Sequence, residues 1–265
     1  MKKILLDGEI PVNCYLIEDQ GKCYIVDPGF EKERLRQYVR AQNLEVIGIL
    51  LTHAHFDHIG ALDAFDVPIY IHENEYSILF DGYQNGFSFN NRSMDYEMED
   101  LYVVKINEHT KIFLNRKEIE VIPTPGHTKG SVCYKYENQL ITGDTLFQGS
   151  VGQWDFPTGD QRLLRESILK LTDSMDDELV VWPAHGGSTT IGHEKANNLF
   201  VGLWTASGDI LRDYCIDYEA FQKARALLDN KSFMEARDIL KKLFEKNDPN
   251  PLTFMYYQYA IEQTS

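Results

Sequence analysis

Six consecutive residues, His53-Ala54-His55-Phe56-Asp57-His58, constrain this chain more than any other stretch. They put four metal-competent side chains directly after Val46-Ile47-Gly48-Ile49-Leu50-Leu51, an apolar run rich in β-branched residues and long enough for a buried strand. The cluster therefore sits where a core strand ends and a loop begins. His53 and His55, two residues apart, fall on one side of an extended backbone. Asp57 and His58 follow once the chain turns, so they face a second point. This spacing suits two metal ions fed from one loop. The chain has 8 histidines in 265 residues, so three so close together is not the pattern of an ordinary solvated loop.

A chain of 265 residues can bury a full core, and one large domain with an appendage is the expected organisation. Hydrophobic content of 43% and charged content of 25% are ordinary for a globular protein and speak against disorder. The formal net charge of -15 gives a surface that repels phosphate backbones, which argues against a nuclease or nucleic-acid binder. No apolar run approaches the ~18 residues of a membrane span, so no membrane partner is expected. Lys2-Lys3-Ile4-Leu5-Leu6 opens like a secretion signal, but its apolar part stops at Asp7. Cys14, Cys23, Cys133 and Cys215 form no CxxC pair and lie in apolar or aromatic contexts. They read as small buried hydrophobes with reduced thiols, and the protein as cytoplasmic.

Strand patterns cover 3–6, 13–17 and 23–26, with Asp19-Gln20-Gly21-Lys22 as a hairpin turn. A helix over 31–42 carries Leu35, Tyr38 and Val39 on its apolar stripe. After the strand at 46–51 the pattern predicts a short helix over 60–65, a strand over 68–71 and a helical segment over 72–80 opening on His72. Residues 81–100 are polar and aromatic without periodicity. A stretch of that kind is functional or mobile, which predicts either a lid over the site or a surface insertion. Strands follow at 103–106, 111–114 and 118–122 with Asn115-Arg116 as a tight turn, then a hairpin of 131–136 and 139–142 around Glu137-Asn138. A helix over 162–171, capped by Asp160 or Thr158, and a strand over 178–182 complete the pattern. Strands interleaved with helices imply sheets covered by helices. His109 is expected in a solvated connection, His72 at a helix start with a ligand role as the alternative, and His193 at a helix start or on the surface.

Three further stretches carry candidate ligands after strand-like runs. They are Thr124-Pro125-Gly126-His127-Thr128-Lys129-Gly130-Ser131, Gly143-Asp144-Thr145-Leu146-Phe147 and Pro183-Ala184-His185-Gly186. With the HxHxDH pattern at 53–58 they resemble, in order, the metal-binding motifs of the metallo-β-lactamase superfamily. The resemblance covers roughly residues 2–195. It implies a four-layer αβ/βα sandwich over residues 1–204, two mixed sheets face to face with helices outside, and leaves 205–265 as a C-terminal helical segment. Carried over position by position, it implies one metal held by His53, His55 and His127, another held by Asp57, His58 and His185, and Asp144 bridging the two. This donor set suits two divalent ions, with zinc the family default and iron or manganese the alternatives. Asp27, in Asp27-Pro28-Gly29, is placed by the resemblance behind the metal loop. As a sequence feature alone it is equally a turn-capping residue.

Lactam-hydrolysing relatives usually carry cysteine where this chain has Asp144, so the resemblance points to the branches typified by glyoxalase II. It implies a dinuclear hydrolase of small acyl thioesters or esters. Two cations lower the pKa of a shared water from ~15.7 toward neutrality, the hydroxide attacks the carbonyl, and a cation stabilises the tetrahedral oxyanion. Asp57 then has a catalytic role, orienting the hydroxide as well as binding metal. The likeness to short bacterial glyoxalase II-like proteins continues through 143–152 and Trp154-Asp155-Phe156-Pro157, with one departure. Gln153 stands where those relatives carry Arg or Lys for the thiol-bearing half of the substrate. Lys129 is either a substitute anion contact or a surface lysine. The alternatives within the superfamily are a mononuclear iron enzyme of the persulfide dioxygenase kind and a lactonase. A non-catalytic scaffold fits poorly with ligands intact at every position.

Beyond residue 205 the resemblance ends. Residues 218–228 and 233–244 read as amphipathic helices, the second with Phe233, Ala236, Leu240 and Leu243 on one face. Asn247-Asp248-Pro249-Asn250-Pro251 breaks the pattern before a third helix over 252–261. The run 233–249 is similar to part of a tetratricopeptide unit, and such folds need several repeats. These helices are expected to pack on the main domain, with a partner or homodimer surface as the rival reading.

Overall fold

The computed structural model describes residues 2–6, 11–88, 100–205, 217–230 and 232–246, with 256–257, 260–261 and 264. The chain divides into two compact units, Met1–Val201 and Gly202–Ser265. In the first, six strands form one sheet in sequence order: β1 (Lys2–Leu6), β2 (Val12–Asp19), β3 (Lys22–Val26), β4 (Glu45–Leu50), β5 (Ile69–His72) and β6 (Val103–Ile106). The pairs from β1 to β3 are antiparallel and those from β3 to β6 parallel. The second sheet is built from β7 (Ile112–Leu114), β8 (Lys117–Pro123), β9 (Val132–Tyr136), β10 (Gln139–Gly143), β13 (Val180–Pro183) and β14 (Thr189–Thr190). Its order is β14-β13-β10-β9-β8-β7, and β10 pairs in parallel with β13. A small hairpin joins β11 (Leu146–Phe147) to β12 (Ser150–Val151). Gln20 and Gly21, at φ 49 and 79, make the turn between β2 and β3, the left-handed pair that matches strand twist in a two-residue hairpin.

Strand alternation builds the layers. Tyr15, Ile17, Tyr24, Val26 and Leu50 pack in one core cluster with Ile119, Val121, Tyr134 and Ile141 of the facing sheet. Their neighbours Cys14, Leu16, Cys23, Ile25 and Ile49 point the other way and pack with Leu35 and Val39. Those two belong to α1 (Lys32–Ala41), which covers the first sheet. On the far side, the helix Gln161–Ser174 buries Leu164, Ile168 and Leu171, and its Ser167 hydroxyl donates to the Pro125 carbonyl. Asp160 caps it by accepting from the Leu163 amide at 2.9 Å. Two sheets between helices make the four-layer sandwich. Among the described residues no helix is long and apolar enough to cross a membrane.

Two local expectations are corrected. The helix expected over 72–80 is reduced to Tyr76–Leu79, because His72 pairs with Ile106 as the last residue of β5 and the Glu73 amide donates to the Ile106 carbonyl. Ladder bonds to β6 outweigh local helix propensity there. The short helix expected over 60–65 instead occupies Phe56–Ile59, followed by a 3-10 turn at Leu62–Ala64. In the second unit, the helices Tyr218–Asp229 and Phe233–Glu245 bury Phe221, Ala224, Ala236, Leu240 and Leu243. Most of the third helix expected there lies outside the described residues, though Tyr256, Tyr257, Ala260 and Ile261 are helical.

Cys14, Cys23 and Cys133 are buried and unpaired by disulfides. Burial pushes the Cys14 thiol well up, that of Cys23 to about 12 and that of Cys133 to about 11. All three are expected to resist iodoacetamide in the native protein and to react fully once it is denatured. Labelling within minutes under native conditions, read by mass spectrometry, would contradict their placement.

Candidate metal centre

Four loops carry the seven side chains singled out in the sequence. The first leaves β4, whose end is fixed across the sheets: the Tyr134 hydroxyl donates to the Leu51 carbonyl at 2.8 Å and the Val132 amide to the Thr52 carbonyl at 2.9 Å. His53 and His55 lie on its extended part, and Asp57 and His58 on the helical turn Phe56–Ile59 that follows. His127 sits between β8 and β9, next to Gly126 at φ 143. Asp144 follows β10, where Gly143 at φ 50 lets the loop pass against the Thr52 side chain. His185 follows β13. Its loop is braced by β2, with the Tyr15 hydroxyl and the Asn13 side-chain amide both donating to the Pro183 carbonyl at 2.6 and 2.9 Å.

The loops bring all seven groups together. His127 Nε2 lies 3.2 Å from His53 Nε2 and 2.8 Å from His55 Nδ1. Asp57 Oδ2 lies 3.3 Å from His185 Nε2 and 3.6 Å from His58 Nε2. Asp144 stands between these groups. Its Oδ2 is 3.5 Å from His127 Nε2, and its Oδ1 is 3.5 Å from both His58 Nε2 and His185 Nε2. His53-His55-His127, His53-His58-Asp144 and Asp57-His58-His185 each gather their ligand atoms within 4.8 Å of one another.

The donor set fits metal. Around a tetrahedral zinc at 2.0–2.1 Å, ligand atoms stand about 3.3 Å apart, close to the spacings in the three-histidine group. Two buried atoms, His58 Nε2 and Asp144 Oδ1, have no hydrogen-bond partner among the described residues. One cation would satisfy both. Burial, with the neighbouring His58, His127 and His55, pushes the His53 imidazole well below its ordinary value. Burial and His127 bring His55 down to about 3, and burial lowers His127. These three are therefore neutral at physiological pH, the form that ligates metal. Burial alone would raise Asp57 and Asp144. At Asp57 the charge of His58 together with the His185 ring outweighs it, and the neighbouring His185 and His58 rings hold the Asp144 carboxyl well below the usual carboxylate range. Burial opposes the proton on His58 and His185, but Asp57 and Asp27 raise the first, and the neighbouring carboxylates of Asp144 and Asp57 raise the second to about 10. Protons on His58 and His185 balance the two ionised carboxylates, and a bound cation would displace them.

The profile of the metallo-β-lactamase superfamily matches residues 7–185. The chain belongs to that superfamily. It is 35% identical over 197 residues to the hydroxyacylglutathione hydrolase GloC of Haemophilus influenzae, covering 71% of this chain and 92% of that protein. It is 36% identical over 200 residues to the probable metallo-hydrolase YqgX of Bacillus subtilis, covering 73% and 94%. Among solved structures, TTHA1623 in a di-iron-bound form superposes with a TM-score of 0.68 at 33% identity, over 76% of this chain and all of that one (100%). BLEG-1, a B3 metallo-β-lactamase, has a TM-score of 0.68 at 37% identity, over 76% and 98%.

In this metallo-β-lactamase fold the far nitrogens of four histidines are also anchored. His127 Nδ1 donates to the Gln153 carbonyl at 2.6 Å and His185 Nδ1 to the Pro11 carbonyl at 2.8 Å. His53 Nδ1 lies 3.1 Å from the Thr52 hydroxyl, and His58 Nδ1 lies 3.0 Å from Asp27 Oδ2. Such partners fix ring orientation and tautomer. Asp27 also accepts from the Thr52 amide and hydroxyl at 2.9 and 2.7 Å, at a left-handed φ of 52. Of the two readings of Asp27, the one behind the metal loop holds. The partners Pro11 and Gln153 act through backbone carbonyls, which leave no trace in a sequence. Asn13 and Tyr15 lie in a strand pattern that gave no reason to single them out.

Above the metal groups opens a cleft of about 780 Å³. His55, Asp57, His127, Asp144 and His185 form its floor, and Phe147, Val151, Phe156 and Tyr83 its more apolar walls. Residues 83–86 of the long stretch at 81–100 line it. This part is tied to the first ligand loop: the Asn85 carbonyl accepts from the Phe56 amide at 2.8 Å, and Phe87 is buried against the rings of Phe30 and Phe56. Residues 89–99, where the rest of the lid expectation falls, lie outside the described residues. Lys129 is not among the lining residues; its ammonium lies 3.3 Å from the Ser77 hydroxyl on the surface. His109 is exposed, and His193 is exposed in the first turn of the helix Ile191–Asn197, which Thr190 caps.

Proposed function

We propose that the protein is a dinuclear metal hydrolase of small acyl thioesters, glyoxalase II-like, acting in the cleft above Asp144. The observation that carries this reading is the division of the Asp144 oxygens between the His127 side and the His58–His185 side. The 35% identity to a hydroxyacylglutathione hydrolase supports the thioester class. Bound divalent ions would supply hydroxide near neutral pH and a Lewis acid for the carbonyl oxygen. Asp57, ionised at the cleft floor, would accept a hydrogen bond from the attacking water and fix its direction. Phe147 and Phe156 would hold the acyl carbon chain and keep bulk water away from it.

The test is a panel of lactoyl thioesters, lactones and nitrocefin offered to metal-replete protein. Thioester hydrolysis is expected to dominate, and its absence would sink the reading. The 37% identity to BLEG-1 favours lactam hydrolysis as the second reading, and preferential turnover of nitrocefin would establish it instead.

Among the described lining residues none is Lys or Arg, and Gln153 lines the cleft. Gln153→Arg would give an anionic thiol carrier a partly exposed countercharge worth up to about 1 kcal/mol, or about two- to fivefold. We expect that gain in kcat/KM for S-lactoylglutathione, through KM, with no gain for an uncharged lactoyl-N-acetylcysteamine. Equal changes for both substrates would remove Gln153 from the specificity of the site.

A further inference from the structure

Glu75 is fully buried, yet it belongs to none of the three ligand groups. Its Oε2 accepts from the Ala54 amide at 2.9 Å, and Ala54 stands between His53 and His55. Its Oε1 accepts from the Gly130 amide at 2.9 Å, in the loop that carries His127. Each carboxylate oxygen thus grips a different ligand loop. Gly130 is fitted to this approach, since a Cβ there would come within 2.6 Å of the Glu75 amide and 2.8 Å of its Cγ. Glu75 is itself held at the start of the short helix Tyr76–Leu79, with its amide donating to the His72 carbonyl at 2.8 Å. The ladder extension that shortened the expected helix is what brings it there.

We propose that Glu75 is a positioning residue for the three-histidine half of the site, locking the His53–His55 strand to the His127 loop at the spacing a cation needs. Charge-assisted bonds from a carboxylate to two backbone amides are stronger than neutral ones, so this clasp resists separation of the loops. In the other half Asp27 supports His58 directly, its Oδ2 lying 3.0 Å from Nδ1, and accepts from the Thr52 amide of the same loop. The inference rests on the metal reading above, but it concerns affinity at one position and not the substrate.

The test uses the metal-stripped full chain and zinc competition against a chromophoric chelator. His185→Ala disables the second position, so that binding reports the three-histidine half. Adding Glu75→Gln puts an NH2 group against an amide donor and breaks one of the two grips. Zinc affinity is expected to fall about tenfold to a hundredfold, the range found for partners of metal ligands. In a His55→Ala background, which disables the three-histidine half, the same change should leave affinity within about twofold. Unchanged affinity in the first background, or equal losses in both, would overturn the proposal. If Glu75→Gln does not fold by circular dichroism, Glu75→Asp takes its place; it keeps the charge but is too short to span both loops, and the same outcomes apply. A wild-type chain that binds no zinc would sink the metal reading itself, before any variant is compared.

Discussion

Asp144→Ala is expected to lower kcat/KM for the best thioester by at least about a thousandfold, or about 4 kcal/mol of transition-state stabilisation. The size follows from its position. Asp144 is the only one of the seven groups whose two ligand atoms face different sides of the site, at 3.5 Å from His127 and 3.5 Å from His58 and His185. Without it, neighbouring cations would repel one another with no shared anion between them, and hydroxide would no longer be held between two charges. The fold should survive, because Asp144 lies in a loop beyond the end of β10 and belongs to neither hydrophobic core cluster. Steady-state kinetics with circular dichroism checks both points. A folded variant retaining a tenth of wild-type activity would show that the chemistry does not need a bridge.

Gly126→Ala has the largest effect expected on stability. At φ 143 any side chain is strained, and a Cβ there would overlap the backbone nitrogen and Cα of Leu164. Leu164 lies in the helix Gln161–Ser174 with its side chain fully buried, so neither partner can move cheaply. The Gly126 carbonyl also accepts from the Asp160 amide at 2.7 Å, just before that helix. We expect a loss of at least about 3 kcal/mol, within the range for overpacking combined with backbone strain, and a fall in Tm of roughly 6–12 °C for a domain of this size. Gly21→Ala is the control. It shares a positive φ of 79 but has nothing within 4 Å of the new Cβ, so it should cost only about 1 kcal/mol. Thermal melts that place the two variants together would show that the Gly126 contact is soft.

The seven groups were legible because each sits in a short local pattern. His53, His55, Asp57 and His58 share one loop, and His127, Asp144 and His185 each follow a strand-like run. The sandwich was legible through the resemblance that those motifs carry, and in the fold alternation along 13–17 sets Tyr15 and Ile17 in one core and Cys14 and Leu16 in the other. What was not legible depends on distance along the chain. Glu75 is an ordinary acid until the fold sets it against Ala54 and Gly130. Pro11 and Gln153 contribute carbonyls, which every residue has. Leu146–Phe147, Ser150–Val151 and Thr189–Thr190 are too short to carry a period. Residues 72–75 gave a helical pattern that pairing with β6 overrode.

The proposed function has these seven groups close around a pair of cations. It is tested most directly by counting metal per chain with inductively coupled plasma mass spectrometry, after loading with zinc, iron or manganese and removing excess. The wild type should hold about two ions per chain and Asp144→Ala no more than about one. A wild type that holds none, or a variant that holds as many as the wild type, would contradict it.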